Sequence, residues 1–241
     1  MPQYKIFHFK SLTSTQDKAK QFARKGLSDV VVISDVQTKG KGRFKRKWYS
    51  GKGGLWMSVL LKPKNIESMQ YLTFIAAVSV AMSIKKIADL DAKIKWPNDL
   101  HYKKKKLCGI LTEGIFGKEN YAVIGIGINV NQTKFPDEVK NIATSLKIIK
   151  KKEFDINKIT QNVLKEFYGL YSNFYQKNKF SQIKKIWGKY CDTIGKNVTV
   201  YSMPKKIKGK AIGVDENCSL LLKTKNNQII KIIEWDIKVR Y

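Results

Sequence analysis

Hydrophobic and polar residues alternate briefly around Tyr4 and Ile6, which predicts a short strand. The period then changes over SLTSTQDKAKQFARKG, where Ser14 or Thr15 can cap a helix running to about Lys25. Gly26 supplies its C-terminal stop. Residues 29–36, DVVVISDV, form a continuous β-branched run and predict a buried strand. Periodicity vanishes over residues 37–54, QTKGKGRFKRKWYSGKGG, a long loop with five glycines, a dense set of cations and Trp48. Leu55–Leu61 resumes as a strand that Pro63 ends.

Residues 69–88 carry apolar side chains at helical spacing, among them Leu72, Ile75, Val78 and Met82. That predicts a long, mostly buried helix with Ser68 as its cap. A short strand over residues 92–95 leads into KWPND. Residues 106–113 and 121–129 read as two strands joined by a turn around Gly117. Residues 155–177 and 181–190 read as helices. After Cys191 the texture shifts to short β-rich pieces at 197–201, 208–214, 219–223 and 228–233. The pattern predicts an α+β body over residues 1–190 and a small all-β unit over residues 191–241.

Composition narrows the functional classes. At 43% hydrophobic, the 241 residues can bury a core, so wholesale disorder is not expected. Three widely spaced cysteines, no CxxC and only two histidines argue against a disulfide scaffold, a zinc ribbon or a histidine-based hydrolytic metal site. The cysteines suit a reducing cytosol, and the expected location is cytoplasmic. The N-terminus lacks an apolar signal-peptide core, and no uninterrupted apolar run reaches membrane-spanning length. The net charge of +28 raises the question of nucleic-acid binding. Lysine, however, supplies 43 of the 47 cations and is spread through nearly every segment, whereas base and phosphate readers favour the planar arginine fork. The distribution predicts a solvated basic surface, attractive to nucleotides and acidic proteins rather than specific for DNA.

Five stretches could carry chemistry. GKGR, residues 40–43, frees its backbone to approach an anion, and it draws arginine (Arg43, with Arg46 nearby) in a chain that otherwise uses lysine. KWPNDL, residues 95–100, holds Asn98 and Asp99 after a fixed turn, although turn chemistry alone also explains it. Asp99 could help hold a magnesium ion or orient a cation. KLCGILTE places Lys106 at a strand end with a defined direction. IGIGINVN leaves room beside Gly125 and Gly127 for something flat or bulky and puts Asn129 and Asn131 on one face. Ser14, Thr15 and Gln16 open a helix whose N-terminus favours polar or anionic groups, or are simply its cap.

In this order the pieces resemble the biotin protein ligase family, also called biotin–[acetyl-CoA-carboxylase] ligase. The matching stretches run from about residue 10 to 150: STQ, QTKGKGRFKRKW, KWPND, KLCGILTE, GIGINVN and ATSL. The resemblance implies a catalytic domain like that of class II aminoacyl-tRNA synthetases, with a mixed sheet, and an SH3-like C-terminal domain. It implies that Ser14, Thr15, Gln16, Gln37, Lys41, Gly42, Arg43 and Lys106 line the biotin site. Arg43, Arg46, Trp48, Asn98, Asp99, Lys106, Asn129 and Asn131 would frame ATP, Trp48 stacking over the adenine and Asp99 serving Mg²⁺. Lys106 and Arg43 would be the catalytic pair.

The implied reaction joins biotin to ATP as biotinyl-5′-AMP, then passes biotin to a lysine of an acidic biotin carboxyl carrier protein. Residues 39–52 would order over the ligand. A homodimer through the central sheet is open to such a protein. No winged-helix unit precedes the first strand, so no transcriptional role is expected. The loop departs from the family's usual GRGRxGRxW: Lys41 replaces an arginine and Phe44-Lys45 stands where a second glycine is usual, while Gln16 replaces an asparagine. Two other readings compete. A lipoate or octanoyl transferase would carry a serine-triple-glycine loop, which is absent, and a basic nucleic-acid-binding protein would ignore biotin.

Overall fold

The structure, a computed structural model, describes residues 4–202, 205–233 and 238–240. Its main sheet comprises β1 (Lys5–Phe9), β2 (Val30–Ser34), β3 (Leu55–Leu61), β4 (Lys93–Lys95), β5 (Asp99–Tyr102), β6 (Lys105–Ile115) and β7 (Tyr121–Ile128). They lie in the order β1-β2-β3-β7-β6-β5-β4. Helix α1 (Thr15–Arg24) crosses from β1 to its parallel neighbour β2, and every other pairing in this sheet is antiparallel. The sheet is therefore mixed, as expected.

The two faces are covered differently. Helices α2 (Gln70–Ala88), α4 (Ile156–Leu170) and α5 (Phe180–Tyr190) build the large core, with Phe74 stacked on Trp187 at 4.1 Å between ring centroids. Helix α1 closes a smaller core over Val30, Val32, Leu60 and Val123. All seven residues of β3 are buried, which explains its unbroken apolar run. Helix α2 is long and apolar enough to cross a membrane by length and composition, but 78% of it is buried within the protein.

Several boundaries differ from expectation. Helix α2 is not capped by Ser68, which sits in a 3₁₀ turn; Met69 is at the cap and makes no side-chain bond. The helix expected over residues 155–177 breaks from α geometry at Tyr171–Tyr175, a π turn closed by Gln176 N–H to the Tyr171 carbonyl at 2.9 Å. Short helix α3 (Leu146–Lys150) was not expected; Ser145 caps it through Ile148 N–H. Strand β5 was also missed, being four residues with a polar start. Lys103 and Lys104, both at positive φ, make the two-residue turn into β6.

The C-terminal unit is a second, five-stranded antiparallel sheet among the described residues. Its strands are β8 (Asn197–Ser202), β9 (Lys205–Val214), β10 (Leu220–Lys223), β11 (Ile229–Ile232) and β12 (Lys238–Arg240), in the order β11-β10-β9-β8-β12. It is tied to the main body at Trp96. The Trp96 indole N–H donates to the Cys218 carbonyl at 2.9 Å, and its backbone N–H donates to Thr193 Oγ1 at 3.0 Å.

Candidate active site

A cavity of about 750 Å³ opens on the main sheet beside α1. Its floor is polar and densely hydrogen-bonded. Ser14 caps α1 by accepting from Asp17 N–H at 3.3 Å. Thr15 N–H and Oγ1 both donate to Gln37 Oε1, at 2.7 and 3.0 Å, and Thr15 Oγ1 lies 2.9 Å from Ser58 Oγ. Ser58 donates to Gln16 Oε1 at 3.0 Å, while Gln16 Nε2 donates to the carbonyls of Leu111 and Val123. Gln37 Nε2 donates to Ser50 Oγ at 2.8 Å. Such a floor is rigid because nearly every donor and acceptor is committed. The sequence reading missed Ser58 and Ser50. The available signal for Ser58 was a lone serine in an apolar strand buried throughout.

The glycines of β6 and β7 are explained by what lies against them. A side chain at Gly125 would bring its Cβ to 2.6 Å from Gln16 Oε1. Gly109 and Gly127 are direct cross-strand partners and form a flat bed for the Trp48 indole. A Cβ at Gly109 would sit 3.0 Å from Trp48 Cζ3, and one at Gly127 would overlap the indole nitrogen. The space predicted beside Gly125 and Gly127 is thus filled by Gln16 and Trp48 of this same chain.

Lys106 lies at the side of that bed. Its Nζ is 2.7 Å from Asp99 Oδ1 and 5.1 Å from the centre of the Trp48 ring. Its backbone is clamped from both directions, its N–H donating to the Ile142 carbonyl and its carbonyl accepting from Thr144 N–H. The segment after β7 therefore fixes the backbone from which Lys106 projects, and Asp99 holds its ammonium. Asn129 supports the same segment, donating to the Thr144 carbonyl at 3.0 Å.

The glycine loop reaches across the mouth. Arg43 donates to Asn98 Oδ1 at 3.1 Å, and Asn98 Nδ2 donates to the Ile110 carbonyl at 2.6 Å, so the loop is joined to the KWPND turn. Lys41 Nζ lies 2.6 Å from Asp17 Oδ1 on α1. Arg46 and Gly42 also line the cavity. Asn131 does not: its carboxamide donates to the Phe154 carbonyl at 2.8 Å and accepts from Phe154 N–H at 2.9 Å. The other thirteen residues expected at the site all border the one cavity.

Chemically, the cavity offers a polar well, a flat aromatic wall and several cations. Cys108 lies next to β6's reactive end, but burial pushes its thiol pKa well up, so it is no nucleophile. Among the described residues no cluster of three histidine, cysteine or acidic side chains could hold a metal by itself. Asp99, one carboxylate paired with Lys106, fits only an ion that takes most of its ligands from phosphate oxygens and water.

Residues 7–131 match the Biotin/lipoate A/B protein ligase family, and residues 193–237 match the Biotin protein ligase C terminal domain. The chain belongs to this family. It is 39% identical to the bifunctional ligase/repressor BirA of Bacillus subtilis over 99% of the chain and 75% of that protein. It is 31% identical over 58% of its length to the biotin–[acetyl-CoA-carboxylase] ligase of Mycobacterium tuberculosis, covering 53% of that enzyme. Among solved structures it resembles the biotin protein ligase of Aquifex aeolicus in complex with biotin and ATP. There the TM-score is 0.87, the identity 32% and the coverage 98% of both chains.

Proposed function

We propose that this protein is a biotin protein ligase. It activates biotin with ATP to biotinyl-5′-AMP and transfers biotin to a lysine of a biotin carboxyl carrier protein. The observation that carries this reading is Lys106, fixed at the edge of the Trp48 bed and facing the cavity above the Thr15–Gln37–Ser58 well. The match of residues 193–237 favours biotin over lipoate as the acid.

The first step sets a carboxylate against the α-phosphorus of ATP. Two unit charges about 4 Å apart repel by about 4 kcal/mol at an effective dielectric near 20, and a triphosphate presents several. Lys106, Arg43 and Lys41 offset that repulsion at the reacting centre. The carboxylate oxygen forms the new P–O bond and pyrophosphate leaves. In the second step the carrier lysine attacks the acyl carbon and AMP departs. Neither step needs a nucleophile from the ligase. The mixed anhydride is hydrolysable, and residues 39–52, ordering over it, would exclude water until the carrier arrives.

Ser14, Thr15, Gln16, Gln37, Lys41, Gly42, Arg43 and Lys106 are assigned to biotin in this reading. Arg43, Arg46, Trp48, Asn98, Asp99, Lys106 and Asn129 are assigned to the nucleotide. Asn131 acts from behind, by fixing Phe154. Mg²⁺ belongs to the proposal through Asp99, where it would neutralise phosphate charge. An acidic carrier domain, catalytic and C-terminal domains meeting near residue 190, a cytoplasmic location, a homodimer and the absence of specific DNA binding complete it. The basic surface supports the acidic partner, and three widely spaced cysteines, Cys108, Cys191 and Cys218, support a reducing compartment. Biotin-dependent exchange of labelled pyrophosphate into ATP tests the reading; no exchange by the purified protein overturns it.

A further inference from the structure

The cavity does not end at Lys106. It continues past the start of β6 to Lys104, whereas the adjacent Lys103 does not border it. A β-bulge brings the lysines to this side. Gly109 lies on the cavity face beneath Trp48, and strict alternation would turn Leu107 to the same face. The pairing of β5 with β6 passes over Leu107 instead: Leu100 is opposite Cys108, and His101 is opposite Lys106. Leu107 is sent into the core, fully buried, and Lys106 turns to the cavity. Lys104 follows two residues further out, about 7 Å along the strand direction.

The turn that holds Lys104 is costly for lysine. Lys103 and Lys104 are left-handed, at φ 46° and 67°, in a two-residue turn that favours Asn-Gly. Both side chains are exposed, so no packing offsets the cost. Backbone strain of this kind is often kept where a side chain is used.

The ligase reading, on which this inference rests, gives the side chain a use. Along β6 the cavity passes Leu111, whose carbonyl accepts from Gln16 in the well, then Gly109, Lys106 and Lys104. Biotin is assigned to the well and the α-phosphorus to the level of Lys106. The attacking carboxylate oxygen and the leaving oxygen must lie roughly in line on opposite sides of that phosphorus. The leaving group therefore points away from the well, towards Lys104. We infer that Lys104 binds the β- and γ-phosphates of ATP and the pyrophosphate they become. As the carboxylate–phosphorus bond forms, the bond from the α-phosphorus to the bridging oxygen breaks and its electron pair leaves with pyrophosphate. Lys104 stays protonated and only offsets charge.

Three variants test this. Lys104→Asn removes the charge and suits the left-handed turn, Lys104→Arg keeps the charge, and Lys103→Asn makes the same change one residue away, outside the cavity. The readout is biotin-dependent exchange at varied pyrophosphate and ATP, with biotin affinity from calorimetry and thermal melting as controls. Lys104→Asn is expected to raise KM for both pyrophosphate and ATP about fivefold, the factor for one well-solvated charge contact about 4 Å long, with biotin affinity within about twofold of wild type. Lys104→Arg should match wild type, and Lys103→Asn should stay within about twofold of it. An unchanged KM for pyrophosphate in Lys104→Asn, or an equal rise in Lys103→Asn, overturns the inference alone. Absence of exchange in the wild-type protein overturns the ligase reading first and this inference with it.

Discussion

Replacing Lys106 with methionine removes one positive charge from the cavity while keeping most of the side chain's reach. Lys106 and Asp99 are each about one-third exposed, at 35% and 28%, so water screens this site and an effective dielectric near 20 is appropriate. Losing one attraction of about 4 kcal/mol at that dielectric slows adenylate formation about a thousandfold. The variant also strands Asp99. Its carboxylate, now without its partner at 2.7 Å, repels the same phosphates and the biotin carboxylate. Lys106→Met should therefore fall at least a thousandfold. Biotin-dependent pyrophosphate exchange measures the loss, with thermal melting to confirm the fold. Exchange by Lys106→Met within tenfold of wild type would refute the electrostatic argument.

Gly127→Ala puts a methyl into the Trp48 indole and should cost about 1–3 kcal/mol of stability while shifting tryptophan emission to the red; an unmoved spectrum would count against the glycine bed. Asp17→Asn releases Lys41 and should expose residues 39–52 to protease at low salt, with wild type approaching the variant as salt rises. Identical cleavage of the two at low salt would show that the pair does not hold the loop. At Asp192 burial pushes the carboxyl pKa up, but hydrogen bonds and charge from His101 and Lys196 outweigh it and bring it down to about 2. A pKa lowered on folding stabilises above the unfolded value of 3.8, and that contribution fades as pH falls towards about 2. Asp192→Asn should thus lose about 1 kcal/mol near neutrality after allowance for solvent screening, and denaturant melts should show the gap closing in acid. A gap that stays constant on acidification is the contrary result.

The parts of this protein most legible in its sequence were those where period and composition agreed. Strand β3 and helix α2 were plain because burial on several sides leaves long apolar runs. Lys106 was separable from the three lysines before it because a strand pattern begins after it, and Lys103 and Lys104 do form the turn. What stayed hidden depends on neighbours distant along the chain. Ser58 looks like any small residue in a strand until Thr15 and Gln16 are brought against it, 43 and 42 positions away. Asn131 shares the strand face of Asn129 by period, yet Phe154 captures its carboxamide, and no local pattern reports that. The room beside Gly127 was correctly inferred, but its occupant is supplied by a loop some 80 residues earlier, a distance that spacing rules do not reach.

Trp96 has a practical consequence. It is 2% exposed, and both of its nitrogens are bonded to the segment beyond Tyr190, where Asp192 N–H also reaches back to the Ile94 carbonyl at 3.0 Å. A protein engineer who splits the chain near residue 190 would strand an indole and two strand-end groups in the half that keeps Asn98 and Asp99. The halves should fail apart and regain activity only when co-expressed, so residue 190 is a poor place for scissors and a good one for a complementation assay.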